Sequence, residues 1–240
     1  MKLALVIPSY KYHIPVLKNT LDSIAKQTCA PDLVVVRVSS CDAECSRALA
    51  NIQAIEWPFP LKVLETDKVQ HTGQNKNEGV AAVPHDIDII SFFDSDDLMH
   101  PRRLEFVKRY ISEGYDVVCH NFVNDTDSWN MIEEPRPVFE SYVKYETITA
   151  AFTDEKVKVG RVTFLDENHD EVAFTDGPLS LRRRCFNGYP LDARGHQDCV
   201  FFSGLHRAGY KLVNLNMGLM IYMPTPDRER LEKNLENFLP

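Results

Sequence analysis

The chain predicts an α/β fold with a mostly parallel sheet, on three observations. Apolar runs of strand length occur at residues 3–7, 33–38 and 87–93, the first continuous where a one-sided strand would alternate, as expected of a strand covered on both faces. Helical spacing of apolar residues separates them. Strands and helices therefore take turns along the first half, which implies right-handed crossovers.

Leu3-Ala4-Leu5-Val6-Ile7 is the first strand, ended by Pro8-Ser9-Tyr10. From Pro15 to Thr28, Val16, Leu17, Leu21, Ile24 and Ala25 recur at helical spacing, with Pro31 beyond the end. Leu33 to Val38 is a second buried strand, 42–54 a weak helix, Leu61 to Leu64 a third strand, and Asn75 to Val83 a helix ahead of the Ile87–Phe93 strand. Pro101 to Glu113 makes another helix and Tyr115 to His120 another strand. The second half is less regular. Residues 124–137 are polar, 139–152 look helical, and Val157–Phe164 with Glu171–Phe174 flank a turn as a hairpin. A helix at 197–208, short strands at Lys211–Leu215 and Leu219–Tyr222, and an amphipathic helix at 226–239 follow. The expected organisation is one domain over 1–225, divided into a half at 1–122 and a half at 123–225, with residues 226–240 as a terminal helix.

Of 240 residues, 44% are apolar, enough for an ordinary core. Lys and Arg number 27 against 35 Asp and Glu, a net charge of −8, and no long basic run appears, so a nucleic-acid surface is not expected. Arg182-Arg183-Arg184 is the one basic cluster, open to a structural or an anion-facing role. The six cysteines show no CxxC pair and no zinc-site spacing, so reduced thiols are expected. The run at 3–7 is too short for a signal-peptide core and no stretch approaches a membrane span, so a cytosolic protein is expected.

The chemistry gathers where Ile87–Phe93 runs into Asp94-Ser95-Asp96-Asp97. Carboxylates clustered at a buried strand's end repel one another unless a cation or hydrogen-bond donors compensate. The carboxyl edge of an open sheet is where such folds bind ligands, and oxygen ligands there suit Mg²⁺ or Mn²⁺ bridging a diphosphate. Asp97 could instead cap the turn before Pro101. A calcium loop is excluded because Leu98 and Met99 stand where it needs an oxygen ligand and a glycine. Neither GxGxxG nor GxxxxGK[ST] is present, which argues against dinucleotide binding and P-loop hydrolysis.

In order, Val6-Ile7-Pro8-Ser9-Tyr10, Leu17 to Gln27, Asn75-Lys76-Asn77-Glu78-Gly79-Val80, Phe93-Asp94-Ser95-Asp96-Asp97, and Leu181 to Phe186 with Gly188 to Asp192, His196-Gln197-Asp198 and Gly209-Tyr210-Lys211 span roughly residues 2–222. This series resembles the GT-A fold glycosyltransferases of family 2. The resemblance implies a mostly parallel central sheet flanked by helices, with a Rossmann-like nucleotide-binding half and an acceptor-binding half. It implies a nucleoside-diphosphate sugar, most readily a UDP-sugar, as donor, a carbohydrate or other hydroxyl as acceptor, a hexosyl or deoxyhexosyl group transferred, and Mn²⁺ or Mg²⁺ as cofactor. Pro8, Ser9 and Tyr10 would lie against base and ribose, Asp94 and Ser95 would face the donor, and Asp96, with Asp94, would hold the ion. Lys76 stands where the family commonly has Arg, near the donor, and keeps the charge while losing the planar fork. Asp198 would be the base that takes the acceptor proton, with His196 its rival.

Three departures stand out. Gln197 precedes Asp198 where the family prefers Glu. Ser39-Ser40-Cys41-Asp42 replaces the usual acidic end of the second strand, so that Asp42 would have to read the base from three residues on. Tyr222-Met223 occupies the place of a frequent His near the metal. A sugar nucleotidyltransferase would need a glycine- and arginine-rich loop after the first strand, which Pro8-Ser9-Tyr10-Lys11 is not. A non-catalytic binding module of the same fold would need no Asp198.

Overall fold

A computed structural model describes residues 1–125, 127–130, 134–149, 156–172, 174, 177–191 and 196–223. The expected terminal helix at 226–239 lies outside the described residues. In chain order the elements are β1 (Leu3–Tyr10), α1 (Ile14–Ala25), β2 (Leu33–Ser39), α2 (Ala43–Gln53), β3 (Leu61–Glu65), α3 (Thr72–Ala81), β4 (Ile89–Phe92), β5 (Leu98–Met99), α4 (Arg103–Ser112), β6 (Val117–Val123), α5 (Asp127–Asn130), β7 (Glu140–Thr149), β8 (Lys156–Leu165), β9 (Glu171–Val172), β10 (Ser180–Arg182), α6 (Gln197–Arg207) and β11 (Leu212–Ile221).

Eight strands form the main sheet in the order β3-β2-β1-β4-β10-β6-β11-β5, and β7-β8-β9 form a second. The pairs β3-β2, β2-β1, β1-β4 and β6-β11 are parallel, as expected from the alternating pattern, whereas β10 is antiparallel to both neighbours. Successive residues of β1 face opposite sides: Leu3, Leu5 and Ile7 pack with Leu17, Leu21 and Leu104, and Ala4 and Val6 pack with Val80, Phe201 and Leu205. Both faces are thus covered, which explains the unbroken apolar run. Gly79 lets α3 lie close on β1, because a Cβ there would come within 2.5 Å of Val6 Cγ1.

Several expectations fail. Residues 140–149 form a strand, because Tyr142, Val143, Tyr145, Thr147, Ile148 and Thr149 are aromatic or β-branched and ten consecutive pairs to β8 override the loose helical spacing. The hairpin at the 166–170 turn is present as β8-β9. The two short strands near 211–222 are one strand, its register shifted around Asn216 (φ 47°) and Gly218. Thiol reduction fails at one place: Cys41 and Cys45 are joined by a disulfide with Cα atoms 5.4 Å apart, at the start of α2.

The arginine cluster is structural. Since β10 runs backwards, it carries these residues to the edge opposite the acidic turn. There Arg183 donates to the carbonyls of Val83 and Pro84, Arg184 binds Asp116, and Arg182 donates to the carbonyls of Ile111 and Tyr115.

Candidate active site

The carboxyl ends of β1, β2 and β4 meet the first turns of α3 and α6. Asn75, buried in α3, donates to Ser9 O at 3.1 Å and to Ser39 Oγ at 2.9 Å, tying together the ends of β1 and β2. Pro8 and Ser9 are buried and Tyr10 half-buried, with the Tyr10 ring edge-on to Tyr12 at 5.3 Å. Ser9 Oγ, Ser40 Oγ and Asn75 Oδ1 are buried with no partner among the described residues, so this edge carries unspent hydrogen-bonding capacity. Asp42 caps α2, its Oδ1 accepting from the amides of Glu44 and Cys45, while Oδ2 lies 3.4 Å from Lys11 Nζ.

The acidic turn follows β4. Burial and the charges of Asp198 and Asp96 push the Asp94 carboxyl up to about 6, against the pull of Lys76 and Arg103. Asp97, 1% exposed, is pushed up to about 8 by burial and by its acidic neighbours, although it accepts from Met223 N at 2.9 Å. It does not cap α4, whose N-cap is Arg102; it ties the turn to the end of β11. Ser95 is buried, its carbonyl accepting from Thr20 Oγ1 and its hydroxyl 2.9 Å from His13 Nδ1.

Crowded carboxylates with raised proton affinity are what a hard divalent cation would relieve. The described residues contain no group of three or more His, Cys, Asp or Glu arranged to hold a metal. Oxygen donors of this kind, one or two carboxylates, are what an Mg²⁺ ion commonly takes from a protein, with substrate phosphates and water completing its shell.

Across the site, Gln197 and Asp198 open α6, where a carboxylate is favoured by the helix N-terminus. Asp198 Oδ1 lies 2.5 Å from Lys76 Nζ, and its side chain is 36% exposed while that of Lys76 is 1% exposed. Burial opposes the charge on Lys76, but Asp198, Tyr189 and Asp94 together hold its ammonium well above the ordinary lysine value. Lys76, expected against donor phosphate, is thus buried in an ion pair with the candidate base. Gln197 Oε1 accepts from Gly73 N at 3.1 Å, so the residue that departs from the family's Glu joins the first turns of α6 and α3. His196 is placed just before α6, its Nε2 3.4 Å from Thr149 O.

Two residues that the sequence did not single out support the site from behind. His13 was unmarked by any periodicity. Arg103 did leave a signal, since it falls on the buried stripe of α4 with Phe106, Val107 and Tyr110, where a charge is out of place. It is fully buried and donates to His120 Nε2 (2.7 Å), Ser91 Oγ (3.0 Å), Phe92 O (3.1 Å), Pro178 O (2.8 Å) and Ser180 Oγ (3.4 Å), joining β4, β10 and β6. Since arginine only donates, His120 Nε2 carries the lone pair and Nδ1–H donates to Asn121 O.

A mostly parallel sheet covered on both faces, with an acidic turn at its carboxyl edge, defines a GT-A type glycosyltransferase fold. The model of Glycosyl transferase family 2 matches residues 4–175, and the chain belongs to that family. No curated protein matches. Similar solved structures include S. aureus TarS 1–349 in complex with UDP (16% identity, TM-score 0.61, 99% of this chain and 65% of that one). They also include the same TarS fragment with UDP-GlcNAc (17%, 0.60, 95% and 60%). A third is the mannosyltransferase PcManGT from Pyrobaculum calidifontis in complex with GDP-Man and Mn²⁺ (16%, 0.60, 98% and 61%). The chain thus spans less than two thirds of each. No helix among the described residues is long and apolar enough to cross a membrane.

Proposed function

We propose that the chain transfers a hexosyl or deoxyhexosyl group from a nucleoside-diphosphate sugar, most readily a UDP-sugar, to an acceptor hydroxyl with inversion at the anomeric carbon. One observation carries this: Asp198, from the far half of the chain, lies 2.5 Å from Lys76 of α3, the helix whose Asn75 ties together the ends of β1 and β2, which supports a base set beside the carboxyl edge of the sheet. UDP, UDP-GlcNAc and GDP-Man with Mn²⁺ in similar structures support a nucleotide-sugar donor and a divalent ion.

Pro8, Ser9 and Tyr10 would lie along the nucleoside, with Asn75 holding the strand ends that form its floor. Asp96 and Asp94 would hold the ion, which when bound stabilises negative charge on the departing diphosphate. Asp198 Oδ1 is engaged by Lys76, and Oδ2 accepts no hydrogen bond among the described residues. That oxygen takes the acceptor's proton as its oxygen attacks the anomeric carbon from the side opposite the diphosphate. One base and one displacement give inversion.

A hydrolysis screen without acceptor tests this, because water can replace the hydroxyl. UDP-glucose, UDP-N-acetylglucosamine and GDP-mannose are each incubated with Mn²⁺, Mg²⁺ or chelator. Slow release of nucleoside diphosphate, abolished by chelator and lowered about 10²–10⁴-fold in Asp198→Asn, is expected. Metal-independent release or unaffected Asp198→Asn would overturn the assignment, and preference for GDP-mannose would overturn the UDP part alone.

A further inference from the structure

One face of α3 holds the acceptor side of the site. Gly73, Lys76 and Asn77 are spaced i, i+3, i+4 and so lie together. Gly73 N donates to Gln197, Lys76 Nζ to Asp198, and Asn77 both donates to Tyr189 O (3.0 Å) and accepts from Tyr189 N (2.7 Å). Gly188, at φ 94°, lets the chain turn into that last pair. Asn75 of the same helix grips the ends of β1 and β2. A single rigid element therefore touches both the nucleoside floor and the candidate base.

Lys76 is poorly placed to bind phosphate. Its side chain is sealed in, with the Phe92 ring 5.6 Å and the Tyr189 ring 4.7 Å from Nζ, and its ammonium is engaged by Asp198. An ammonium in that position fixes the rotamer of a half-exposed carboxylate that would otherwise sample solvent. We propose that Lys76 is a positioning residue for Asp198, aiming its free oxygen at the acceptor, and that α3 holds the base in register with the nucleoside floor. This rests on Asp198 being the base.

The test uses Lys76→Met, Lys76→Arg, Asp198→Asn and the Lys76→Met/Asp198→Asn double variant. For each, kcat and KM are measured for hydrolysis of the nucleotide sugar that turns over best in the screen, and the affinity for UDP with Mn²⁺, or GDP if the screen favours it, by calorimetry. Misplacing a catalytic group by about 1 Å can cost on the order of 10²-fold. Lys76→Met should accordingly lose roughly tenfold to a hundredfold in kcat while nucleotide affinity and KM stay within about twofold. Lys76→Arg, which keeps the cation, should regain most of the rate, and the double variant should be no slower than Asp198→Asn, because Lys76 acts through that carboxylate. Weakened nucleotide affinity with kcat retained would make Lys76 a donor contact and overturn the proposal. So would independent, multiplying losses in the double variant. If Asp198→Asn itself keeps its kcat, the base assignment falls. If only Lys76→Met keeps it, that assignment stands and the positioning role falls. Should Lys76→Met not fold, Lys76→Gln takes its place: it keeps a donor toward Asp198 but not the charge, so kcat should fall severalfold, less than for Lys76→Met, at unchanged nucleotide affinity, and retained kcat or weakened affinity would overturn the positioning role.

Discussion

Replacing Arg103 with Met asks how much one buried cation contributes to the join between strands. The side chain is fully buried and makes five hydrogen bonds, so its loss is not softened by solvent. Ser91 and Ser180 would keep each other, their hydroxyls lying 2.7 Å apart. His120 Nε2, Phe92 O and Pro178 O would lose a charged donor. Three acceptors left short in the interior amount to about 3–9 kcal/mol at about 1–3 each. Against this, burial holds the guanidinium down to about 9, so removing the charge relieves a penalty of several kcal/mol. Because the three acceptors lose a charged donor, their cost lies toward the upper end of that range, about 6–9 kcal/mol, and the difference should be a net destabilisation of about 1–4 kcal/mol. Urea unfolding followed by circular dichroism reads it as a lower midpoint with unchanged slope. Arg103→Lys, which supplies one point charge for a planar fork, should fall between. A Met variant within about 0.5 kcal/mol of the parent would show that these bonds contribute nothing net.

Asp97→Asn keeps the acceptor for Met223 N and removes the charge. With its carboxyl near 8 when folded and near 3.8 otherwise, the folded parent binds more protons between about pH 4 and 8 and loses stability as pH rises through that window. In chelator, the Asn variant should therefore melt with a flatter pH dependence from 5 to 9, and parallel curves would refute the burial argument. Gly177→Ala places a Cβ 3.0 Å from Asp94 Oδ2, with no other described atom within 4 Å, so metal-dependent nucleotide affinity should fall roughly tenfold with little change in melting. Equal affinity would show that Asp94 can move aside freely. Asp42→Ala should lower stability by about 1 kcal/mol through loss of the α2 cap, which Asp42→Asn preserves. Calorimetry on the Asn variant then isolates base reading, since weakened UDP binding there reports the carboxylate's role in the nucleoside pocket.

What the sequence made legible follows the range of the forces involved. β1, β2 and β4 were visible because burial on both faces leaves a largely apolar run, and the acidic turn stood out because it ends one. β10 was not, since three residues carry no period and its place is set by partners some ninety positions away, such as Ser91 for Ser180. β7 misled because its spacing tolerates either period and only pairing to β8 decides. Asp198 could be named only through a family pattern. That Lys76 would be its partner required α3 and α6 to be packed together, which no local signal encodes.

The insertion of β10 between β4 and β6 also has a kinetic side. Everything through β6 lies within the first 123 residues, yet in the sheet of the described residues β10 stands between β4 and β6. A nascent chain of that length leaves β4 with an open edge carrying Ile89 and Ile90 and β6 with neither of its sheet neighbours, and unfinished apolar edges invite pairing with other chains. Closure waits for a loop of nearly ninety residues, so the sheet should mature late and slowly, as high contact order dictates. The two halves of the sequence are therefore not two folding units, and a fragment cut after β6 would expose the strand that leads into the acidic turn.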